Sequence, residues 1–316
     1  MRRIGLATVS SLVVFVLSAT CFFDAGGMMG QLIPQTTPQP PIQIHVDLVN
    51  LHVTVLDSKG KNVSGLQKSD FKVYEDKVAQ DISLFNTESE TPVTVGILLD
   101  TSSSMGREKL EKAIDAVKEM ARTLSPRDEI FIMEFTERPS FLVDFTPAGI
   151  DLKRMFSGLV AKGGTNVGAA VEEGIFKMRD ASNKKQALVV ISDGLDIAGA
   201  GVIDKIRSHE TLVYSIGLKG ISGLRGVAAH IQAFNVHGSS LNVYAEESGA
   251  RAIFVKSLEE ISGACRTIVD DLKSQYQIAY YPSNSARDGK YRRIKVEMNH
   301  AGNGVQFRRG YYAPRR

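Results

Sequence analysis

The chain has 316 residues, 43% apolar and 23% charged, proportions of an ordinary globular protein that exclude wholesale disorder and a multispan membrane protein. Its 38 basic and 35 acidic residues leave a formal charge of +3, too small an excess to argue for nucleic-acid binding. Two cysteines, six scattered histidines and the absence of any C-x-x-C or H-E-x-x-H exclude a disulfide scaffold and a Cys/His metal site. At about 150 residues per domain, the length points to two folded units.

Met1-Arg2-Arg3, an apolar stretch over 4–23 and the small residues Ala25-Gly26-Gly27 give a basic start, an apolar middle and a small-residue exit. Residues 1–27 therefore read as a secretory signal. About 20 apolar residues would also serve as an uncleaved anchor, although Thr8, Ser10, Ser11, Ser18 and Thr20 dilute this stretch. A third reading is lipid attachment at Cys21, which Leu17-Ser18-Ala19-Thr20 precedes in a loose lipidation pattern. All three readings export the protein, to the periplasm, the cell surface or the medium, and the last two leave a membrane tether. Residues 28–41, with Pro34, Pro38, Pro40 and Pro41, read as an extended linker.

Residues 42–91 form a first β segment. Ile42, Ile44, Val46 and Leu48 alternate, then Leu51, Val53 and Val55 alternate in the opposite phase, a slip that predicts a bulge or a strand that changes partners. Asp57-Ser58-Lys59-Gly60 is a turn, and strands at 71–73 and 82–84 flank a hairpin at Glu75-Asp76-Lys77. This segment is too short to bury a good core alone.

From Val93 the pattern changes. Residues 93–99 are a near-continuous apolar run, as in a strand covered on both faces. Leu110, Ala113, Ile114, Val117, Met120, Ala121 and Leu124 recur at helical spacing. Strands follow at 130–135 and 141–145, then a short helix at 152–159, and a helix carrying Val167, Ala170, Val171, Ile175 and Met178. A buried strand at 187–191, a helix at 202–208 and a strand at 211–218 lead into a Gly-rich, poorly periodic insertion at 220–241. A strand at 252–255 and a helix at 258–272, where Cys265 is a small buried hydrophobe, complete the unit. Strands alternating with helices predict an α/β fold over 92–274, a doubly wound, mostly parallel sheet. Residues 275–316 return to β, and the two flanks are expected to pair into one β module. Nine basic and two acidic residues over 287–316 read first as the outward face of an exposed sheet, and second as a surface for anionic polymers or lipid head groups.

The strand at 93–99 runs into Asp100-Thr101-Ser102-Ser103-Ser104-Met105-Gly106, at the strand end where open α/β sheets bind ligands. Lys162-Gly163-Gly164-Thr165-Asn166 opens the next long helix, and Ser192-Asp193-Gly194 follows the strand at 187–191. Three loops thus offer Asp100, Ser102, Ser104, Thr165 and Asp193 at one sheet edge. These oxygens suit a hard divalent cation, with Mg²⁺ favoured over Ca²⁺ by the two carboxylates and Mn²⁺ an alternative. Taken singly, the serines read as a helix cap, Thr165 as the cap of its helix and Asp193 as a turn residue. Asp196 reads first as a solvated loop acid and second as a residue reaching the metal rim, and Glu134 and Glu137 receive no role. There is no G-x-x-x-x-G-K-[ST], no G-x-G-x-x-G after a strand and no G-x-S-x-G, and no general base or nucleophile stands out beside the five residues.

Asp100-x-Ser102-x-Ser104 with Thr165 and Asp193 resembles the metal-ion-dependent adhesion site of von Willebrand factor type A domains, over residues 92–274. Asp70-Phe71-x-Val73-Tyr74-Glu75-Asp76 and Arg309-Gly310-Tyr311-Tyr312-Ala313-Pro314 resemble the flanks of the branch called VWFA-related acidobacterial domain proteins. The resemblance implies that Ser102, Ser104 and often Thr165 contact the metal directly, that Asp100 and Asp193 act partly through water, and that a partner's Asp or Glu carboxylate completes the shell. It implies non-catalytic protein binding. Two further functions stay open: an envelope assembly component working through its β module with a structural metal, and, more remotely, a metal-dependent hydrolase.

Overall fold

The computed structural model describes residues 48–87, 90–194, 198–218, 239–299 and 304–315, all within one compact unit, His45–Arg316. The signal or anchor, Cys21, the linker, residues 42–46, Asp196 and most of the 220–241 insertion lie outside the described residues. Among the described residues, no helix is long and apolar enough to cross a membrane.

Four strands come first: β1 (Val49–Leu56), β2 (Phe71–Glu75), β3 (Val78–Gln80) and β4 (Ile82–Thr87). The central unit follows with β5 (Val93–Asp100), α1 (Gly106–Thr123), β6 (Glu129–Phe135), β7 (Pro139–Pro147), α2 (Val167–Lys177), β8 (Lys185–Ser192), α3 (Ala200–Ser208), β9 (Leu212–Gly217), α4 (Ser240–Ser248), β10 (Ala252–Phe254) and α5 (Glu260–Ser274). The chain ends in β11 (Tyr276–Tyr280), β12 (Tyr291–Met298), β13 (Gly304–Gln306) and β14 (Gly310–Tyr312).

The central sheet has six strands in the order β10-β9-β8-β5-β6-β7. All its pairs are parallel except β6 with the edge strand β7. Every residue of β5 is buried, because both faces are covered. Val95, Ile97 and Leu99 meet α1 and α5 on one side, while Leu98 meets α2 on the other. The fold is α/β and doubly wound. Since β5 is followed by β6 on one side and paired with β8 on the other, the strand order reverses at the β5–β8 pair, where such sheets open a crevice at their carboxyl ends.

The flanking strands make two four-stranded sheets, β13-β1-β11-β4 and β14-β12-β2-β3. β11 lies antiparallel between β1 and β4, and β12 lies antiparallel against β2. Their inner faces share a core of Leu51, Val53, Phe71, Val73, Tyr276, Ile278 and Val296, among others.

Several local expectations are corrected. β1 keeps one phase, with Val49, Leu51, Val53 and Val55 all buried. It does change partner, between Val53, on β11, and Thr54, on β13, while the first phase, over 42–46, lies outside the described residues. The hairpin after β2 is a two-residue turn, Asp76-Lys77, with both residues at positive φ, as a tight primed turn demands. Residues 153–158 form turns, not a helix. Met155, Ser157 and Leu159 each donate to the carbonyl three residues back, and Gly158 at φ 81° breaks continuation, while Leu152 and Phe156 still reach the core. The last residues of the Gly-rich stretch cap and begin α4: the Ser239 side chain accepts from the Asn242 amide.

Candidate metal centre

Asp100 is the last residue of β5, and burial leaves it no contact with solvent. Its Oδ1 accepts the Ser102 amide at 2.8 Å, and its Oδ2 accepts the Ser192 hydroxyl at 2.5 Å. Burial pushes the Asp100 carboxyl above its ordinary value and the neighbouring Asp193 charge adds to the push, against the hydrogen bonds from Ser192 and Ser102. A single 3₁₀ turn, Ser103–Met105, carries the chain from Ser102 into α1. Ser102 and Ser104 therefore face the same way, their Oγ atoms 3.0 Å apart. Ser104 Oγ donates to Asp193 Oδ1 at 2.7 Å, joining the end of β5 to the residue after β8.

The Gly-Gly-Thr-Asn loop is tied to the same edge. Ser103 donates its amide to Gly163 O at 3.0 Å and Lys162 donates to Thr101 O at 2.8 Å. Asn166, not Thr165, caps α2, accepting the Ala169 amide at 2.9 Å. Thr165 sits over Gly194, so that a Cβ there would come within 2.9 Å of its Cγ2. The structure thus links Asp100, Ser102, Ser104 and Asp193 by direct contacts or shared hydrogen bonds, with Thr165 against the residue that follows Asp193.

Four further side chains support this edge, and sequence reasoning gave none of them a part. Ser192 bridges, donating to Asp100 and accepting the Gly194 amide at 2.9 Å. Glu137 Oε1 accepts the Gly164 amide at 2.5 Å, while Glu134 accepts the Thr101 hydroxyl at 3.2 Å. Lys109, in the first turn of α1, places Nζ 2.5 Å from Asp193 Oδ2 and 3.1 Å from Ser104 O. Only Ser192 had a signal, its place within Ser-Asp-Gly.

The donor set fits a small hard cation. Octahedral metal–oxygen bonds of about 2.1 Å set neighbouring oxygens about 3 Å apart, and the Ser102–Ser104 and Ser104–Asp193 contacts are 3.0 and 2.7 Å. Among the described residues no group of three or more His, Cys, Asp or Glu side chains is arranged to hold a metal. Hydroxyls must therefore supply much of any coordination shell here, and the lysine on Asp193 shows that this edge accepts positive charge.

In open α/β sheets, the switch point where these oxygen side chains gather is the place at which ligands bind. Residues 95–195 match the family model of the von Willebrand factor type A domain. The chain carries a von Willebrand factor type A domain, a module that mostly serves in interaction or adhesion between proteins. Inter-alpha-trypsin inhibitor heavy chain H2 of Mesocricetus auratus is 28% identical over 142 residues, which cover 40% of this chain and 15% of that protein. The Homo sapiens protein of the same name is 24% identical over 142 residues, again 40% of this chain and 15% of the relative. The chain thus spans a small part of these relatives. Among solved structures, a von Willebrand factor type A protein from Catenulispora acidiphila aligns with a TM-score of 0.48 at 12% identity, covering 86% of this chain and 74% of that one. The vWF domain of the type V pili tip protein Mfa5 from Porphyromonas gingivalis aligns with a TM-score of 0.44 at 15% identity, covering 56% and 94%.

Proposed function

We propose that this is an exported, non-catalytic binding protein whose von Willebrand factor type A domain takes a Mg²⁺-type cation and through it a carboxylate of a protein partner. Ser102, Ser104 and Thr165 supply neutral oxygens, and Asp100 and Asp193 supply two negative charges. The observation that carries the reading is the chain of contacts Ser102–Ser104–Asp193, 3.0 and 2.7 Å long, across the β5–β8 switch point. A cation held by only two carboxylates and neutral hydroxyls stays electrophilic enough to accept an Asp or Glu side chain. Among the described residues, the loops around the five side chains add no hydroxyl–imidazole pair, which favours binding over hydrolysis. The basic, apolar and small-residue succession at the N-terminus supports export.

Isothermal titration of Mg²⁺ and Mn²⁺ into the chelated protein tests the site. One saturable site is expected, and Asp100→Ala abolishes it while the far-UV circular dichroism of the variant stays native. Equal binding by the variant would remove Asp100 from the site. Capture of an acidic partner that survives EDTA would give the cation a structural role.

A further inference from the structure

We infer that Lys109 is a built-in counter-cation of this site, which a divalent metal must displace, so that Lys109 sets the affinity with which the domain takes metal. The inference rests on the metal reading above and adds a regulatory element to it.

Lys109 lies one turn beyond Ser104 along the chain and reaches back over it. The two oxygens of Asp193 are divided: Oδ1 takes the Ser104 hydroxyl at 2.7 Å and Oδ2 takes the Lys109 ammonium at 2.5 Å. The ammonium also donates to Ser104 O at 3.1 Å. It therefore grips the two residues that would have to turn toward a metal. The Asp193 side chain is 5% exposed and that of Lys109 27%, so this is a largely desolvated pair whose charges are costly to leave alone.

Charge arithmetic sets the direction of the effect. With Lys109 in place, Asp100 and Asp193 carry two negative charges against one positive. A divalent cation would bring the total to three positive charges against two, and among the described residues the ammonium contacts no carboxylate other than Asp193. Like charges within a few ångströms in a half-buried site repel strongly. Lysine suits this exchange, because its flexible stem lets the ammonium swing to solvent while the aliphatic part stays on α1. The domain would keep its loops tied when metal is scarce and trade ammonium for metal when it is abundant.

A purely structural staple predicts the opposite sign. If Lys109 only braces the loops, removing it loosens the site and weakens metal binding; if it competes, removing it strengthens binding. The test is titration of Mn²⁺ into the full chain and into Lys109→Met and Lys109→Arg. Lys109→Met is expected to bind about ten-fold tighter or more, while Lys109→Arg, which keeps the charge, stays near the unsubstituted chain. A second measurement on the unsubstituted chain maps amine acylation by mass spectrometry: Mg²⁺ should speed acylation of Lys109, and the effect should vanish in Asp100→Ala. This arm decides the matter if Lys109→Met fails to fold. Mn²⁺ binding by Lys109→Met equal to or weaker than that of the unsubstituted chain overturns the inference and leaves the metal reading standing. Absence of binding in both chains overturns the metal reading and the inference together.

Discussion

Ser192 shows how much of the candidate site depends on side chains outside its motif. Its hydroxyl donates to the buried Asp100 at 2.5 Å and accepts the Gly194 amide. Ser192→Ala should therefore cost about 1–3 kcal/mol, the usual penalty for leaving a buried charged acceptor short of a donor, read as a lower urea midpoint with an unchanged slope. An unchanged midpoint would mean that Asp100 has another donor to turn to. Cys265 gives a contrasting prediction. Burial pushes its thiol up to about 12, and the Glu119 charge adds to this. Below that value the thiol stays protonated, so Cys265 in native protein at pH 8 should resist a thiol-specific disulfide reagent and react only on unfolding. Rapid labelling mapped to Cys265 in the folded protein would place that residue at the surface. Asp100, Ser102, Ser104, Thr165 and Asp193 could be picked out because short loop motifs carry them. Lys109 and Glu137 could not, and Ser192 only by its place beside Asp193, since their partners depend on the register of β5 against β8 and on how far a side chain reaches between loops.

At the scale of elements, strongly periodic segments were legible and weakly patterned ones were not. α1 buries Leu110, Ala113, Ile114, Val117, Met120 and Ala121, the stripe that its spacing marks out. α4 is short, buries Ser240 and Ser248 beside Leu241, Tyr244 and Ala245, and so has no clean apolar stripe to announce it. Residues 152–159 carry helical spacing yet form turns, because Leu152 and Phe156 can both reach the core without a continuous helix. The end of α4 also joins the central domain to the flanking strands. Gly249 caps it at φ 89°, and a Cβ there would lie 2.3 Å from Arg308 N and 2.6 Å from Phe307 C. Gly249→Ala therefore combines left-handed strain with a backbone clash, about 2–5 kcal/mol in all. Gly60 is the control: its φ is 74° but nothing lies within 4 Å of an added Cβ, so Gly60→Ala should cost only about 1–2 kcal/mol. Urea midpoints of the two variants compare these directly. Equal losses would show that strain alone acts at Gly249, and that the 307–308 backbone gives way.

Across the whole molecule, the apolar cores separate as cleanly as the sheets do. The two clusters on either face of the central sheet draw only on residues from Val93 to Leu272, and the third draws only on the flanks. The connections named between them are polar or aromatic. Gln275 Nε2 reaches Thr54 Oγ1 at 3.3 Å and Tyr214 OH at 3.2 Å, Arg251 donates to Gly60 O at 3.3 Å, Tyr312 OH donates to Asp204 at 2.6 Å, and the Arg207 guanidinium lies 4.7 Å from the Tyr291 ring centre. Such contacts position one body on another, whereas apolar burial supplies most of the driving force for folding. Residues 91–274 expressed alone should then fold, unfold in one cooperative transition at a somewhat lower temperature than the whole chain, and keep any metal affinity that depends on Asp100. The flanks should behave otherwise. β11 lies between β1 and β4, and β12 pairs with β2, so neither flank has a complete sheet without the other. A chain ending at residue 274 should leave Leu51, Val53 and Phe71 uncovered, bind a hydrophobic dye and tend to aggregate, although it contains all of the central domain. If that longer chain were instead as soluble and dye-free as 91–274, β1 to β4 would have another way to cover their apolar face. If 91–274 itself lacked a cooperative transition, the polar contacts with Gln275, Gly60 and Tyr312 would be essential to the central fold, and the two bodies would be one folding unit.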